Sequence, residues 1–437
     1  MLKRKIEKTL EQWLISDYGL LIDGARQIGK SFIIEYFINK NFNNVIEINL
    51  HENKLAVSVL SEAIDADDFM LRLSSLINKP FVPNQTVIFL DEIQEFKSYD
   101  IITMMKFLVK KRDFRFVVSG SLLGIQQYGI NSWPEGYMML EKMYPLDFEE
   151  FLWANGVNED LIEIVKSCFI DKKEVPDYLH IKFLDLFKKY LMVGGMPDAV
   201  NKFIETNDLN AVRNAHKVIE QYTAKDVSKY ANDFDKILIQ EMYDLIPYEL
   251  NNQSKRFKLS DLPSLKRNEN LGLSFGWFTK AGVAIPVYNV AELSLPLTLN
   301  ADHRLVKLFS MDVGILTYKL MDDDIKKSVL FGDLDLNFGA IYENAVAQSL
   351  ISNGHENLFY YSKHGTGELD FVLSVKDEIV PIEVKSGKDY KKHSALNNVL
   401  NNKPFNNYIK KAYVLCNSNL SVDNNVIYMP IYMAMFI

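Results

Sequence analysis

Two stretches of this chain carry residue types at spacings that could do chemistry. The first is GARQIGKS, Gly24 to Ser31, which satisfies G-x-x-x-x-G-K-[ST]. Gly24 and Gly29 let the backbone turn tightly, and Ala25, Arg26, Gln27 and Ile28 lie between them, so that main-chain N–H groups face phosphate oxygens. Lys30 would reach the β- and γ-phosphates of ATP, and the Ser31 hydroxyl would ligate Mg2+. The second stretch is GELDFVLSVKDEIVPIEVKSGK, Gly367 to Lys388. Strand alternation puts Glu368 and Asp370 on one face of its first run, and Glu383 and Lys385 on one face of its second. A turn centred near Lys376–Asp377 sets Asp370 across from Glu383, so two carboxylates and an ammonium converge. Such a group can hold a hard divalent cation by oxygen, Mg2+ or Mn2+, and can serve phosphodiester cleavage. Lys385 would then orient the nucleophile or stabilise developing charge. A solvated cross-strand salt-bridge cluster fits the pattern alone equally well.

Each stretch needs elements to position it. GLLID before the glycine loop reads as a buried strand, and SFIIEYF after it as a helix whose N-terminus adds partial positive charge at the phosphates. TVIFLDEIQEF supplies a second buried strand ending at Asp91 and Glu92. Acidic residues there point into the crevice at the carboxyl ends of an open parallel sheet. Asp91 would hold Mg2+ through water, and Glu92 would position or deprotonate an attacking water, which favours hydrolysis over mere nucleotide binding. A third strand, FRFVVSGS, ends in Ser119, Gly120 and Ser121. Ser119 is placed to sense the γ-phosphate, although a serine-glycine turn accounts for the stretch equally well. The arginine that would stabilise the transition state is not identifiable. Arg26, Arg112 and Arg115 are near in sequence, and another subunit of a homo-oligomer is the other source. Near the C-terminal stretch, the helix IYENAVAQSL contributes Glu343 as a further acid. Lys388, Lys391 and Lys392, with Tyr390 among them, are positioned to meet a nucleic-acid backbone.

Strand and helix alternate through the first part of the chain, which predicts a parallel sheet covered by helices. From about Pro145 to Ala224 the pattern is mainly helical. From about Asp226 to Leu320 short helices give way to strand-like pieces such as VAIPVYNVAE, a succession that permits a winged-helix module. The preceding SKRFKLSDLPSLKR carries Lys255, Arg256, Lys258, Lys266 and Arg267, which suit DNA contact or a solvated surface. The last part reads as a small α/β domain. At 437 residues the chain is too long for one core. Its net charge of -8 gives no global nucleic-acid signature, so any such contact must be local. Two distant cysteines, Cys168 and Cys416, suggest neither a disulfide framework nor a cysteine metal site. The N-terminus lacks the apolar region of a secretory signal and no run of about 18 apolar residues occurs. The expectation is a cytoplasmic protein with no membrane partner.

Taken in order, GARQIGKS, VIFLDEIQEF, VVSGSLLG, MYPLDFEEFLWA, YLMVGGMPDAV, KLFSMDVGIL and E…LDF…PIEVKSG resemble a family of bacterial and archaeal ATPases. Its members combine an AAA-type ATPase domain, a winged-helix region and a C-terminal domain like the PD-(D/E)XK nucleases. The resemblance implies an α/β chain in three parts: a P-loop ATPase with helical extension (1–225), a winged-helix-like module (226–325) and a restriction-endonuclease-like domain (326–437). It assigns Gly24, Gly29, Lys30 and Ser31 to the phosphate loop, and Asp91 and Glu92 to the acidic pair. Glu343, Asp370, Glu383 and Lys385 fall to the nuclease-like pattern. GGMPD and SMDVG read as structural, a helix end and a strand–turn. The implied function is a Mg2+-dependent ATPase whose nucleotide state controls a DNA-acting, nuclease-like domain. The alternative is a nucleotide-switched regulator, binding DNA or protein, with an inactive C-terminal domain.

Overall fold

The computed structural model describes residues 1–96, 99–120, 136–229, 233–252, 254–258, 278, 282–322, 324–326, 328, 338–402, 405 and 408–437. The chain forms two compact units, one from Lys3–Tyr144 with Lys280–Gly282 and the other from Pro145–Thr279 with Val283–Ile437.

The first unit opens with helix α1 (Glu7–Leu14), which buries Leu10 and Trp13. Strand β1 (Gly19–Asp23) follows, then α2 (Lys30–Asn41), β2 (Asn44–Asn49), α3 (Lys54–Ser61), α4 (Ala66–Leu76), β3 (Thr86–Asp91), α5 (Tyr99–Lys110), β4 (Arg115–Gly120) and β5 (Met138–Lys142). The strands form one sheet in the order β2-β3-β4-β1-β5, parallel at every pairing. β1 and β3 are buried along their whole length, as strands covered on both faces must be. Leu21, Ile88, Leu90 and Val118 from the sheet share a core with Phe69, Leu73, Ile101 and Met105 from the helices. β4 lies between β1 and β3, so the three strand ends that carry the phosphate loop, the acidic pair and Ser119 are neighbours.

The second unit begins with a helical run: α6 (Phe148–Ala154), α7 (Glu159–Asp171), α8 (Asp177–Val193), α9 (Pro197–Thr206), α10 (Leu209–Lys229) and α11 (Asp233–Asn251). It continues through β6 (Ala284–Val290), β7 (Ala301–Ser310), α12 (Val313–Leu320), α13 (Gly339–Ser352), β8 (Leu358–Lys363), β9 (Gly367–Val375), β10 (Glu378–Val384), α14 (Ser394–Leu400), β11 (Ala412–Cys416), β12 (Ser421–Asp423) and β13 (Val426–Pro430). The strands make an eight-stranded sheet ordered β12-β13-β11-β10-β9-β8-β6-β7. β8, β9 and β10 form an antiparallel meander. After α14 the chain returns as β11 parallel to β10.

This division differs from the expected boundaries at 225 and 325. The helical run packs its aromatic faces on the C-terminal elements instead of extending the first unit. Phe183 lies 5.5 Å from Tyr432, Phe187 6.1 Å from Tyr342 and Phe169 5.7 Å from Phe436, ring centre to ring centre. The strands expected in a winged-helix module extend the C-terminal sheet, because β6 pairs in parallel with β8 from Val287–Leu358 to Val290–Tyr361. Pairing satisfies backbone groups that a separate two-stranded wing would leave at an edge. The remainder of that expectation, KLSDLPSLKR, lies outside the described residues except for Lys258.

GGMPD and SMDVG meet at one point. Gly194 caps α8 with φ +72°, and the buried Asp312 caps α12, accepting from Ile315 N–H at 3.0 Å. The same carboxylate accepts from Gly195 N–H at 2.6 Å. Leu146, from MYPLDF, donates to Gly195 O at 2.7 Å and accepts from the Tyr190 hydroxyl at 2.9 Å. The next residue, Asp147, forms with Glu150 a capping box that starts α6. α13 is fastened to the same strand–turn through its amides: Ser310 N–H donates to Asn344 Oδ1 at 2.7 Å, and Val313 N–H to Gln348 Oε1 at 3.0 Å. A Cβ at residue 195 would stand 1.9 Å from Leu146 O. Gly195→Ala is therefore expected to destabilise the second unit by about 3 kcal/mol, read as a lower midpoint in urea unfolding, with the first unit's transition unmoved.

Candidate functional sites

The glycine loop joins β1 to α2 and its conformation is set by three residues. A Cβ on Gly24 would lie 2.3 Å from Met143 O, Gln27 has φ +63°, and Gly29 takes φ +89° as the N-cap of α2. From outside the loop, the buried Arg4 donates to Ile28 O at 2.9 Å and to Tyr144 O at 2.6 Å. Ala25, Arg26 and Ile28 lie within this turn. Lys30 is folded back on the loop, its Nζ donating to the carbonyls of Gly24 at 2.8 Å and Ala25 at 2.7 Å. Burial lowers the Lys30 pKa, and the carboxylates of Glu92, Asp23 and Asp91 oppose that shift.

Beside the loop, Asp91 ends β3 as a buried carboxylate with three donors. Ser31 Oγ donates to its two oxygens at 3.0 and 2.9 Å, Asn49 Nδ2 donates at 2.9 Å, and the Ser119 hydroxyl also donates to it. Ser31, Asp91 and Ser119, expected from three separate stretches, are thus brought into one cluster. Glu92 N–H reaches Ser119 Oγ at 3.4 Å, and the Glu92 carboxylate accepts from the buried Gln94 amide. Glu92 itself sits at φ +60°, a backbone conformation uncommon outside glycine and asparagine. Ser121 lies outside the described residues. A hydroxyl next to a carboxylate at a helix N-terminus is a hard-oxygen set that suits Mg2+ carrying water and phosphate ligands. Sequence reading missed Asn49, Gln94 and Arg4. Asn49 had a usable signal, a polar side chain at the carboxyl end of a strand in the same sheet. Arg4 had none, since its partners are main-chain carbonyls far along the chain.

The second site lies on the meander. The β9–β10 register runs from Val375–Glu378 to Phe371–Ile382 around the turn at Lys376–Asp377, and the same register carries Asp370 to Glu383. Asp370 Oδ2 accepts from Val384 N–H at 2.8 Å. Lys385 Nζ lies 3.2 Å from Glu383 Oε2. Burial and the Asp370 carboxylate push the Glu383 pKa up to about 8, and Lys385 opposes that shift. Burial and Asp370 likewise raise Glu343, on α13, to about 7, with Lys255 and Lys307 pulling the other way. The Glu343 Oε1 atom is ion-paired with Lys255, whereas its Oε2 is buried with no hydrogen-bond partner.

Other residues gather here that the pattern did not announce. Lys307 of β7 is completely buried, 2.6 Å from Glu368 Oε1 and 4.8 Å from the Tyr360 ring centre. Arg256 donates to Ser362 Oγ at 2.6 Å and lies 3.9 Å from Glu368. Lys255 and Arg256, which suited either DNA contact or a solvated surface, are instead ion-paired within the carboxylate patch. Lys258 is exposed, and Lys266 and Arg267 lie outside the described residues. Lys388, Lys391 and Lys392 are exposed, but Tyr390 packs edge-on against Tyr428 at 5.7 Å. Among the described residues no three Asp, Glu, His or Cys side chains converge tightly enough to hold a metal as they stand. The donor types nonetheless suit a hard divalent cation. The register sets Asp370 across from Glu383, where a cation could be shared, and the second oxygen of Glu343 has a lone pair to give.

Residues 16–152 match a family model described as an AAA domain. Residues 184–326 and 338–433 match two models, each described as a domain of unknown function (DUF8612 and DUF4143). No curated protein matches the chain in sequence. Among solved structures, the chain is similar to the Orc1 protein of Aeropyrum pernix in complex with DNA, at 11% identity and TM-score 0.28, covering 76% of this chain and 93% of that one. It is similar to the Thermotoga maritima RuvB Holliday junction branch migration motor at 14% identity and TM-score 0.29, covering 67% and 89%. Drosophila ORC bound to DNA gives 10% identity and TM-score 0.28, covering 77% and 97%. No helix among the described residues is long and apolar enough to cross a membrane. The loop geometry, the all-parallel sheet and the match over residues 16–152 agree: the first part of the chain is an AAA-type P-loop domain.

The raised carboxyls make a pH prediction. Glu343 and Glu383 titrate higher in the folded chain than the ordinary 4.5, so the folded state holds protons that the unfolded state has released. That contribution to stability is complete below about pH 4.5 and is lost as pH rises through about 7 to 8. Without divalent cation, the second unit's melting temperature is expected to fall between pH 6 and pH 8.5. Glu383→Gln should flatten that slope in a scanning-fluorimetry pH series.

Proposed function

We propose that this chain is a Mg2+-dependent ATPase whose nucleotide state controls a metal-dependent, DNA-acting site on the β9–β10 meander. The observation that carries the ATPase half is the cluster of Ser31, Asn49 and Ser119 on the Asp91 carboxylate beside the phosphate loop. Mg2+, when bound, would supply Lewis-acid chemistry to phosphoryl oxygens at the first site, and Mg2+ or Mn2+ would do so for a phosphodiester at the second. Lys30 leaves the carbonyls of Gly24 and Ala25 for the β- and γ-phosphates, an exchange of two neutral acceptors for charged ones. Ser31 and Asp91 would hold the ion, Ser119 bridges Asp91 to the Glu92 backbone, and Glu92 would orient or deprotonate the attacking water. Release of Glu92 from Gln94 precedes that step.

At the second site, Asp370, Glu383 and Glu343 would hold the divalent cation, and Lys385 would steady the nucleophile or the developing charge. The element order of helix, three-strand meander, helix and parallel strand supports the nuclease-like reading, since it sets Asp370 beside Glu383 with Glu343 behind them. A homo-oligomer would supply the missing arginine from a neighbouring subunit. One observation favours a second reading, in which the C-terminal domain is an inert scaffold and ATP switches binding to DNA or protein: Glu343 and Glu383 are already met by lysines.

Lys30→Ala is expected to abolish ATP binding in a fluorescent-nucleotide titration. Glu92→Gln should keep binding and lower turnover by about 10²- to 10⁴-fold. For the second site, a cleavage assay on circular and linear DNA with Mg2+ or Mn2+, with and without ATP, is expected to show cutting that Lys385→Ala removes. Absence of cutting under every nucleotide condition, with turnover intact, selects the switch reading.

A further inference from the structure

The segment Lys255–Phe257, which follows α11, lies as a strap over the carboxylate patch, and each of its residues has a different anchor. Phe257 N–H donates to Val306 O of β7 at 2.9 Å. Arg256 reaches Ser362 of β8 and Glu368 of β9. Lys255 reaches Glu343 of α13. Lys255 is also held at φ +49°, a left-handed conformation that side-chain-bearing residues seldom take. Its N–H closes a turn on Asn252 O at 3.1 Å.

The other two ammonium groups of the patch are built into the sheet. Lys307 projects from within β7 with its side chain fully buried, and Lys385 follows directly on the end of β10. Lys255 alone of the three comes from outside the sheet, and its side chain is 22% exposed against 3% for Glu343. A compact ammonium can substitute for a metal as counter-charge to a buried carboxylate, which otherwise carries a large desolvation cost. It occupies one oxygen of Glu343 and leaves the other, buried, with no partner.

We propose that Lys255 is a built-in surrogate cation: its ion pair with Glu343 competes with a divalent metal, so the patch binds metal weakly with the strap down and tightly when Lys255 is withdrawn. The proposal rests on the reading that Asp370, Glu383 and Glu343 take a divalent cation, and it names what regulates them. Movement of the segment after α11 then becomes the step that arms the site, and neutralising Lys255 should arm it permanently.

The test uses the full chain without nucleotide and Mn2+ as probe, with free Mn2+ read by electron paramagnetic resonance. Lys255→Gln and Lys255→Met are expected to bind Mn2+ at least tenfold more tightly than wild type, and Lys255→Arg, which keeps the charge, to bind as wild type does. Adding Asp370→Asn to Lys255→Gln should erase the gain, which places the ion in this patch and not beside Ser31 and Asp91. Asp370-dependent binding of equal strength in wild type and both neutral variants overturns the surrogate and leaves the metal reading intact. Asp370-independent binding, or none, in all of them overturns both. Melting curves accompany each titration: Lys255→Gln should melt lower than wild type in chelator, because Glu343 loses its counter-charge, and recover with Mn2+. A variant that does not fold passes the comparison to the other neutral variant.

Discussion

A carboxylate taken out of water must be met by donors or by opposite charge, and that requirement organises both units of this chain. Asp312 is the clearest case. Buried at the junction of β7 and α12, it is pushed above the ordinary carboxylate pKa by desolvation, and the main-chain N–H groups of Gly195 and Ile315 oppose that shift by donating to it. To deliver Gly195 N–H there, α8 must end at Gly194 in a conformation that glycine adopts freely. Leu146 must then lie against residue 195, with no room for a side chain between them. One buried carboxyl group therefore fixes the end of one helix, the start of a second and the entry to a third. α13 is locked to the same turn by Asn344 and Gln348, which act as substitute backbone amides. The face of α13 carrying Glu343 is positioned by that lock.

The same requirement, met differently, distinguishes the two candidate sites. Asp91 takes its hydrogen bonds from neutral donors, Ser31, Asn49 and Ser119, which orient the carboxylate. A site of that kind is pre-organised for an incoming cation. The C-terminal patch meets its carboxylates with ammonium and guanidinium groups from three different elements, and with protons where burial forces them on Glu343 and Glu383. Its charge is cancelled in place. Occupying it with metal means displacing protons and a lysine, so its occupancy is sensitive to pH and to the position of the segment that carries that lysine.

Much of this was legible in the residues. The phosphate loop between a buried strand and a helix, the acidic pair at a strand's end and the hairpin register across Lys376–Asp377 each follow from local rules, a spacing or a two-residue period. So does the structural character of GGMPD and SMDVG, whose glycines mark positions where a Cβ has no place. What local rules missed were partners supplied by distant segments: Arg4 on the phosphate loop, Asn49 on Asp91, and Lys307 and Arg256 on Glu368. No periodicity links residue 4 to residue 144 or residue 256 to residue 362, because their proximity is created by sheet order and helix packing.

The domain boundaries show the same limit. A helical run following an α/β sheet, then a strand pair, reads locally as an extension and a wing, since each segment has its own correct periodicity. Which apolar face covers which is a competition among all the faces in the chain, and only the packed structure decides it: the rings of Phe183 and Phe187 meet Tyr432 and Tyr342, and β6 completes the backbone pairing of β8. By itself the sequence determined the local conformations and the chemical types at the two sites. Tertiary structure decided which charges those types would face. Coulombic and desolvation energies depend on distance and burial, and neither is a property of position along the chain.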